Sequence, residues 1–231
     1  MLYKDVEVLN SKKHKGFKLK EVKSFEEFKP LNSCVALVSE FREACKFYPI
    51  VFMNTPEGFM PVFLLGVERN VFIDENGRWT KDYYIPAFVR RFPFILVEDK
   101  NSGNGGERKL FVGVDRRFLV KDGEGKELFN EEGKETEFLK SAARFLSAYD
   151  KDYQLTVEFA SELQRLNLLQ GMEATVKKGN DKTVVIKNLF VVDEVRLSKL
   201  NKEQVFDLFK KGFMGAVYAH LISLANFSKL A

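Results

Sequence analysis

The chain has 231 residues, of which 45% are hydrophobic and 30% are charged, so it holds one sizeable core or two small domains that share one. Its formal net charge is +4 with both signs interleaved, which excludes the clustered basic face of a nucleic-acid-binding protein. The first residues contain no hydrophobic signal core, and the longest apolar run (residues 213–227) is too short to span a bilayer, so we expect a soluble, cytoplasmic protein.

The first half of the chain is predicted to be rich in strands. Residues 1–23 form an N-terminal extension whose lysine-rich part is interpreted as a solvated segment. The predicted elements that follow are a short helix from Ser24 to before Pro30, a strand at 35–38, a helix capped by Ser39 and ended by Pro49, strands at 50–53, 60–66 and 70–73, a turn at 74–77, a short helix between Pro86 and Pro93, and strands at 94–97 and 109–115 joined by a flexible loop at 102–106.

The second half of the chain is predicted to be richer in helices. The predicted elements are a helix capped by Thr136 and ending near Tyr149, a second helix capped by Thr156, strands at 174–178 and 183–192 around a turn at 179–181, a helix opened by the Asn201–Gln204 capping box and ended by Gly212, and a last helix at 213–227. This order lacks a regular βαβ rhythm. It therefore predicts an α+β fold with antiparallel hairpins, helices packed on the sheet, and a helix-richer C-terminal half.

A stretch rich in glycine and charge at residues 121–134 suggests an internal boundary. It divides the chain, after the N-terminal extension, into a β-rich half at 24–120 and an α-rich half at 121–231. We expect the two halves to form one compact unit.

Motifs for common reaction types are missing from the sequence. It has no G-x-S-x-G elbow and no phosphate loop, and the glycine-rich loop at 102–106 lacks the lysine and hydroxyl that such a loop needs. The two cysteines, Cys34 and Cys45, fit no common zinc spacing and are expected to be reduced core thiols. We therefore predict no metal and no cofactor, and a non-enzymatic role is favoured.

The segment from Trp79 to Phe94 is the strongest candidate for a binding surface. It holds Trp79, Tyr83, Tyr84, Arg90 and Arg91, side chains that are enriched in binding hot spots. Arginine offers planar, bidentate contacts to a carboxylate or phosphate. The alternative is that the rings fill the core and the arginines pair internally. The same alternative, an aromatic core rather than a ring-lined groove, applies to the 23 phenylalanines of the chain.

Three further residues are candidates for ligand or partner binding. Glu40 and Arg42 form a polar pair at the start of the helix predicted after Ser39, with ordinary helix-surface charges as the alternative. His14 is expected to be exposed or lightly paired.

Several motifs, read in order, resemble a known family. They are Leu9-Asn10 and His14, Glu40-Phe41-Arg42, Tyr48-Pro49-Ile50-Val51-Phe52, Gly66, Asn70-Val71-Phe72, Gly77-Arg78-Trp79, Tyr84-Ile85-Pro86-Ala87, Arg90-Arg91-Phe92-Pro93-Phe94, Val114-Asp115, Val192-Asp193-Glu194, Gly212 and Tyr218-Ala219-His220. On these motifs nearly the whole chain is similar to the SapC family of bacterial proteins. The lysine-rich stretch after His14 departs from the family pattern.

The resemblance implies a bacterial protein linked to the surface layer, and it supplies no catalytic residues. The leading hypothesis is a non-catalytic binding or assembly protein whose partner is a surface-layer protein or another protein. Association with the cell surface would then occur by a route that needs no signal peptide. The alternative is a cytoplasmic enzyme, or enzyme accessory, that binds a peptide or small anionic ligand in a pocket at the same aromatic and arginine segment.

Overall fold

The computed structural model describes residues 2–99, 108–178 and 182–230. In these residues the strands are β1 (Val6–Val8), β2 (Lys18–Leu19), β3 (Ser33–Val35), β4 (Ile50–Thr55), β5 (Gly58–Leu64), β6 (Phe94–Glu98), β7 (Leu110–Asp115), β8 (Leu119–Val120), β9 (Lys126–Glu127), β10 (Leu169–Lys178) and β11 (Lys182–Val192). The α-helices there are α1 (Ser11–His14), α2 (Phe41–Ala44), α3 (Ala87–Arg90), α4 (Glu137–Arg165), α5 (Glu194–Ser198), α6 (Lys202–Lys210) and α7 (Phe213–Ser223). The strands pair in antiparallel fashion, which confirms the α+β prediction.

The chain folds into two compact units, and each is built from two separate stretches of sequence. Unit 1 comprises Met1–Ser24 and Val89–Asp150. Unit 2 comprises Phe25–Phe88 and Lys151–Ala231. Helix α4 contributes its first part to unit 1 and its second part to unit 2.

Unit 1 contains two small sheets and the first half of α4. The strand order is β1–β7–β6 in one sheet and β8–β2–β9 in the other. Their shared core includes Phe94, Val114 and Leu128, with Leu139 and Leu146 from α4. Because Leu139 and Leu146 are seven positions apart, they lie on the same side of the helix.

A buried aspartate fixes the beginning of the chain to β7. Asp115 accepts hydrogen bonds from the Lys4 backbone N–H to Oδ2 (3.0 Å) and from the Arg117 Nη2 to the same oxygen (2.8 Å). Burial by itself raises the pKa of the Asp115 carboxyl, but the hydrogen bonds and the charge of Arg117 outweigh it and hold this pKa below its usual range.

Unit 2 is built on a five-stranded sheet of order β10–β11–β4–β5–β3. Strands β4 and β5 pair along their length, whereas β11 and β4 share one ladder pair, Phe190 and Phe52. The Phe159 ring packs edge-on against Phe213 with centroids 5.2 Å apart and lies 6.0 Å from Phe52. These rings are buried, so they belong to the core of the unit.

Side chains from α7 supply hydrogen bonds where β4 and β11 diverge. The His220 Nδ1–H donates to the Ile50 carbonyl (2.8 Å), and His220 Nε2 accepts from the Val192 backbone N–H (3.0 Å). The Ser223 Oγ accepts from the Ile50 N–H (2.9 Å). Since a backbone N–H is only a donor, the imidazole must be neutral and carry its proton on Nδ1. Burial lowers the pKa of His220 to about 4.

Several predicted elements are confirmed. The Thr136 Oγ1 accepts from the Leu139 N–H at the start of α4, and Asn201 and Gln204 form the capping box of α6. The turn at 74–77, with Gly77 at φ 72°, and the short helix α3 after Pro86 are also present. The predicted loop at 102–106 and turn at 179–181 lie outside the described residues.

The prediction of two helices divided at Thr156 is wrong, because α4 runs without a break from Glu137 to Arg165. The Thr156 hydroxyl donates to the Asp152 carbonyl one turn earlier (2.6 Å) and accepts from the Val38 N–H (2.9 Å). A threonine that bonds back in this way is accommodated inside a helix. Thr156 therefore connects α4 to the 3-10 turn at Val38–Glu40 instead of starting a helix.

Other boundaries also differ from prediction. The strand expected at 35–38 is β3, which ends at Val35, and residues 70–73 form no strand beyond a single bridge from Ile73 to Trp79. Ser24 starts no α-helix, because only a 3-10 turn at Glu26–Phe28 follows it, and Ser39 lies inside a second 3-10 turn at Val38–Glu40. The last apolar stretch is α7 followed by a 3-10 segment at Leu224–Leu230. Apart from the missing strand at 70–73, these differences fall at element boundaries or capping residues, where side-chain contacts decide the outcome.

Candidate functional site

The indole of Trp79 lies in the core of unit 2. It is 7% exposed, its Nε1 donates to the Tyr48 hydroxyl (2.9 Å), and the Phe25 ring contacts it edge-on at 5.6 Å. The Tyr48 hydroxyl in turn donates to the Tyr84 carbonyl (2.5 Å). Burial raises the pKa of the Tyr48 phenol above its usual range despite the hydrogen bond from Trp79. The indole therefore braces the core and presents no open face to a ligand.

The two adjacent tyrosines are half-buried in unit 2. The Tyr83 ring packs against Phe47 and Phe72, with centroids 5.0 and 5.5 Å away. The Tyr84 hydroxyl donates to Glu40 Oε1 (2.8 Å). Both tyrosines are thus held by side chains of their own unit.

Glu40 is a buried carboxylate that joins three segments. It is 5% exposed, and besides Tyr84 it accepts hydrogen bonds from the Leu37 N–H (3.1 Å) and from the Ala87 N–H (2.7 Å), the first residue of α3. The carboxylate thus satisfies backbone N–H groups at the starts of two helical turns, an arrangement that favours a negative charge. Arg42, its predicted partner in a polar pair, lies exposed on α2.

His14 is buried, so the expectation of an exposed or lightly paired histidine is wrong. Its side chain is 1% exposed, and Nδ1 accepts from the Asn10 N–H (2.9 Å). Its Nε2 lies 3.3 Å from Glu7 Oε1, an ion-pair distance without hydrogen-bond alignment. Glu7 also pairs with Lys13, and this hydrogen bond lowers the pKa of Glu7. These contacts explain why the ring is enclosed by the N-terminal segment.

Arg90 and Arg91 lie in unit 1, where they line a cavity of about 830 Å³. The guanidinium of Arg91 lies 4.5 Å from the Tyr149 ring centroid, and that of Arg90 lies 5.3 Å from the Phe145 centroid. These distances place both guanidinium groups in cation–π contact with rings of α4. Of the residues singled out in the sequence, these two border the cavity.

The cavity combines apolar walls with a cationic excess. Four stretches of unit 1 line it, and the apolar side chains among them include Leu19, Val22, Phe94, Phe138 and Phe145. The charged residues that line it are Lys20, Lys23, Lys126, Arg90 and Arg91 on the positive side and Glu21 and Glu124 on the negative side. Such an arrangement suits a ligand with an apolar body and an anionic group.

Close packing of the backbone forms one wall of this cavity. A Cβ on Gly125 would lie 2.6 Å from the Leu19 carbonyl oxygen, so only glycine lets the two segments approach this closely. Nearby, the Tyr3 hydroxyl donates to the Phe94 carbonyl (2.7 Å). Burial raises the pKa of Tyr3 to about 12, against the effect of the Arg91 charge. The phenol beside Arg91 is therefore neutral at physiological pH.

The cysteines and acidic residues suggest no metal centre within residues 2–99, 108–178 and 182–230. Cys34 is buried and Cys45 is half-buried, both are free thiols, and burial raises the pKa of Cys45. No three histidine, cysteine or acidic side chains of these ranges are grouped to hold a metal ion. Nor is any helix in the described ranges both long and apolar enough to cross a membrane.

Comparisons with known proteins identify a family. Searches of curated proteins and of solved structures found no match. The family model described as SapC matches residues 9–230, which is nearly the whole chain. The motifs that contain Tyr48 and Trp79 form a hydrogen-bond network in the core. The motif that contains Arg90 and Arg91 forms part of the wall of the cavity. The chain belongs to the SapC family.

Proposed function

We propose that this chain is a non-catalytic binding protein whose unit 1 cavity takes a ligand with an apolar body and an anionic end, such as a peptide carboxylate. The main observation behind the proposal is that Arg90 and Arg91 lie in cation–π contact with α4 rings and line a largely apolar cavity. A volume of about 830 Å³ lies within the range of small-molecule sites.

The charge balance supports an anionic ligand over a neutral or cationic one. The cationic lining residues outnumber the acidic ones, so the field in the cavity favours negative charge. A guanidinium that contacts an aromatic ring still offers a carboxylate two parallel N–H donors. Arg91, the more enclosed of the pair, is the expected anchor.

The chemistry of the lining supports binding without turnover. Among the described residues that line the cavity, the groups able to act as acid, base or nucleophile are Glu21, Glu124, Ser141 and the lysines. Histidine and cysteine are absent from that set. The enzymatic alternative predicts that a bound peptide is consumed, which mass spectrometry of the incubated ligand tests directly.

Titration calorimetry tests the binding proposal with N-acetyl-Phe-Phe and its C-terminal amide. We expect the free carboxylate to bind at least about tenfold more tightly, a difference that corresponds to about 1.4 kcal/mol. The substitution Arg91→Gln should abolish that preference. Arg42→Gln, which removes an exposed arginine of unit 2, should leave it intact.

Equal affinity for the acid and the amide would contradict the proposal. Failure of both N-acetyl-Phe-Phe and dodecanoate to bind at millimolar concentration would also contradict it, since these probes present a carboxylate on two different apolar bodies.

Family membership supports the second part of the proposal, a role in the bacterial surface layer. In this role the ligand is a segment of a surface-layer or other protein partner. Cell fractionation and deletion of the gene test the idea, with a change in surface-layer export or assembly as the expected outcome. An unchanged layer in the deletion strain would exclude this role for the chain.

A further inference from the structure

The apolar side chains with the highest exposed fractions among the described residues lie in three consecutive helices. Those that are more than half exposed are Val195 (62%), Phe206 (62%), Phe209 (72%), Tyr218 (54%) and Ile222 (66%). They lie in α5, α6 and α7, all in unit 2. Single exposed hydrophobic residues are ordinary, but such a concentration marks an interaction surface.

Helix α6 carries an apolar stripe that its own unit leaves uncovered. Leu208 faces the core, while Val205, Phe206 and Phe209 are exposed on one side of the helix. At 100° per residue these three positions fall within about 100° of one another. The stripe therefore presents two phenylalanine rings side by side in solvent.

Helix α7 is predominantly apolar, and its side with Tyr218 and Ile222 is not covered. Val217 and His220 are buried against the unit, whereas Tyr218 and Ile222 point the opposite way together with Gly215. A helix without a polar face is normally enclosed on every side. The exposed side of α7 thus lacks the cover that its composition requires.

An apolar groove borders the exposed side of α7. It has a volume of about 650 Å³ and its lining includes Phe41, Leu155, Phe213, Tyr218 and Ile222. Unit 2 therefore carries both projecting rings, on α6, and a concave apolar surface, on α7. One copy of the chain offers the shape that another copy could fill.

We infer that α6 and α7 form an isologous interface with a second copy of this chain. A fully exposed large side chain presents about 200 Å², so Phe206, Phe209, Tyr218 and Ile222 together offer roughly 500 Å² per copy. A stable interface buries about 800 Å² per partner. Val205 and Leu155, which are 39% and 40% exposed, add further apolar area to this surface.

The charges of α6 favour a second copy over a strongly charged partner. The helix carries Lys202 and Lys210 against Glu203 and Asp207, so its formal charge is zero. The groove beside α7 adds Arg42 and Lys211, and Lys211 is paired with Glu158 (3.0 Å). Two identical helices with balanced charges meet without net repulsion, and two-fold dimers are the commonest oligomers. The inference is independent of the proposed ligand cavity, because that cavity lies in unit 1.

Sedimentation equilibrium of the full chain between about 1 and 100 µM tests this inference. We expect the average mass to rise from the monomer value of 26.7 kDa toward twice that value. Phe209→Glu should weaken dimerisation at least about 100-fold, since each dimer contains the substitution twice. Phe111→Glu, at an exposed phenylalanine of unit 1, is the matched control and should dimerise like the wild type.

Circular dichroism of each variant checks that it folds, and Ile222→Lys provides a second probe of the same surface from α7. A wild-type chain that stays monomeric at 100 µM would overturn the inference, whether or not it captures another protein. So would a dimer that survives both Phe209→Glu and Ile222→Lys in the folded state.

Discussion

Because His220 of α7 is buried as a neutral imidazole, we predict that the protein loses stability in acid. His220 is fully buried and neutral, with Nδ1 donating to the Ile50 carbonyl and Nε2 accepting from the Val192 N–H. Protonation of Nε2 would place two N–H donors against each other. The substitution His220→Gln removes the titrating group while keeping a donor and an acceptor in the same side chain.

The magnitude follows from the two pKa values. The unfolded chain takes up a proton near pH 6.5, whereas the pKa of His220 in the folded chain is lowered to about 4. Between these pH values the unfolded state binds more protons than the folded state, so the free energy of unfolding decreases as the pH is lowered. The stability is fully present above pH 6.5, and about 3 kcal/mol of it is lost by pH 4.

Urea denaturation of the wild type and of His220→Gln at several pH values measures this loss. At pH 7.5 we expect the variant to be less stable by about 1–3 kcal/mol, because the glutamine cannot align with both strands. The difference should shrink steadily between pH 6.5 and 4, since only the wild type carries the titrating ring. Taking the difference cancels the titration of the carboxylates common to both proteins.

Two measurements test whether His220 is neutral in the folded protein. The chain has only two histidines, so the imidazole resonances of His220 can be followed by NMR as the pH is lowered. A His220 resonance that titrates near pH 6.5 in the folded protein would refute the argument. A stability difference that does not change across the pH window would refute it as well.

Three other substitutions have defined expected outcomes. Glu40→Gln replaces one carboxylate oxygen by an amide donor that faces backbone donors, so the free energy of unfolding should drop by about 3 kcal/mol in urea titrations, and a loss under 1 kcal/mol would contradict the structure. Asp115→Asn should cost about 2–3 kcal/mol at pH 7 and less in acid, where the wild type also loses its carboxylate, so equal losses at pH 7 and pH 3 would refute the assignment. Gly66→Ala places a Cβ 1.8 Å from the Arg69 carbonyl oxygen, so thermal unfolding should show a loss above about 2 kcal/mol, and a neutral result would contradict the local backbone geometry.

Local signals in the sequence predicted the elements whose boundaries depend on backbone chemistry. The Asn201–Gln204 capping box and the turn ending at Gly77 were predicted because a side chain three residues away, or a positive φ, determines the conformation locally. Helix α4 was divided wrongly, because threonine caps helices and also bonds back within them. The contact of Thr156 with Val38, which decides between the two, joins positions 118 apart in the chain.

The candidate site was predictable only in part for the same reason. Arg90 and Arg91 were identified from the sequence, whereas the contribution of Phe138 and Phe145 to the cavity is seen only in the structure. Arg90 and Arg91 meet Lys126 at one cavity because of the way the strands pair. The periodicity of the sequence carries no information about strand pairing. The buried environment of Glu40 was hidden likewise, since its partners Tyr84 and Ala87 lie more than 40 positions away in the chain.

The position of His220 so late in the chain also has a consequence for folding during synthesis. Strand β4 is made early, but its hydrogen-bond partner on α7 is 170 positions further along, and β11 also follows much later. Until then the edge of β4 that β11 and α7 will cover offers unpaired backbone and apolar side chains to other nascent chains. Unit 1, by contrast, has all its residues once position 150 is made. A chain whose synthesis stops after position 150 but before β11 and α7 are made would thus have an exposed edge strand. Such a strand promotes aggregation unless a chaperone binds it.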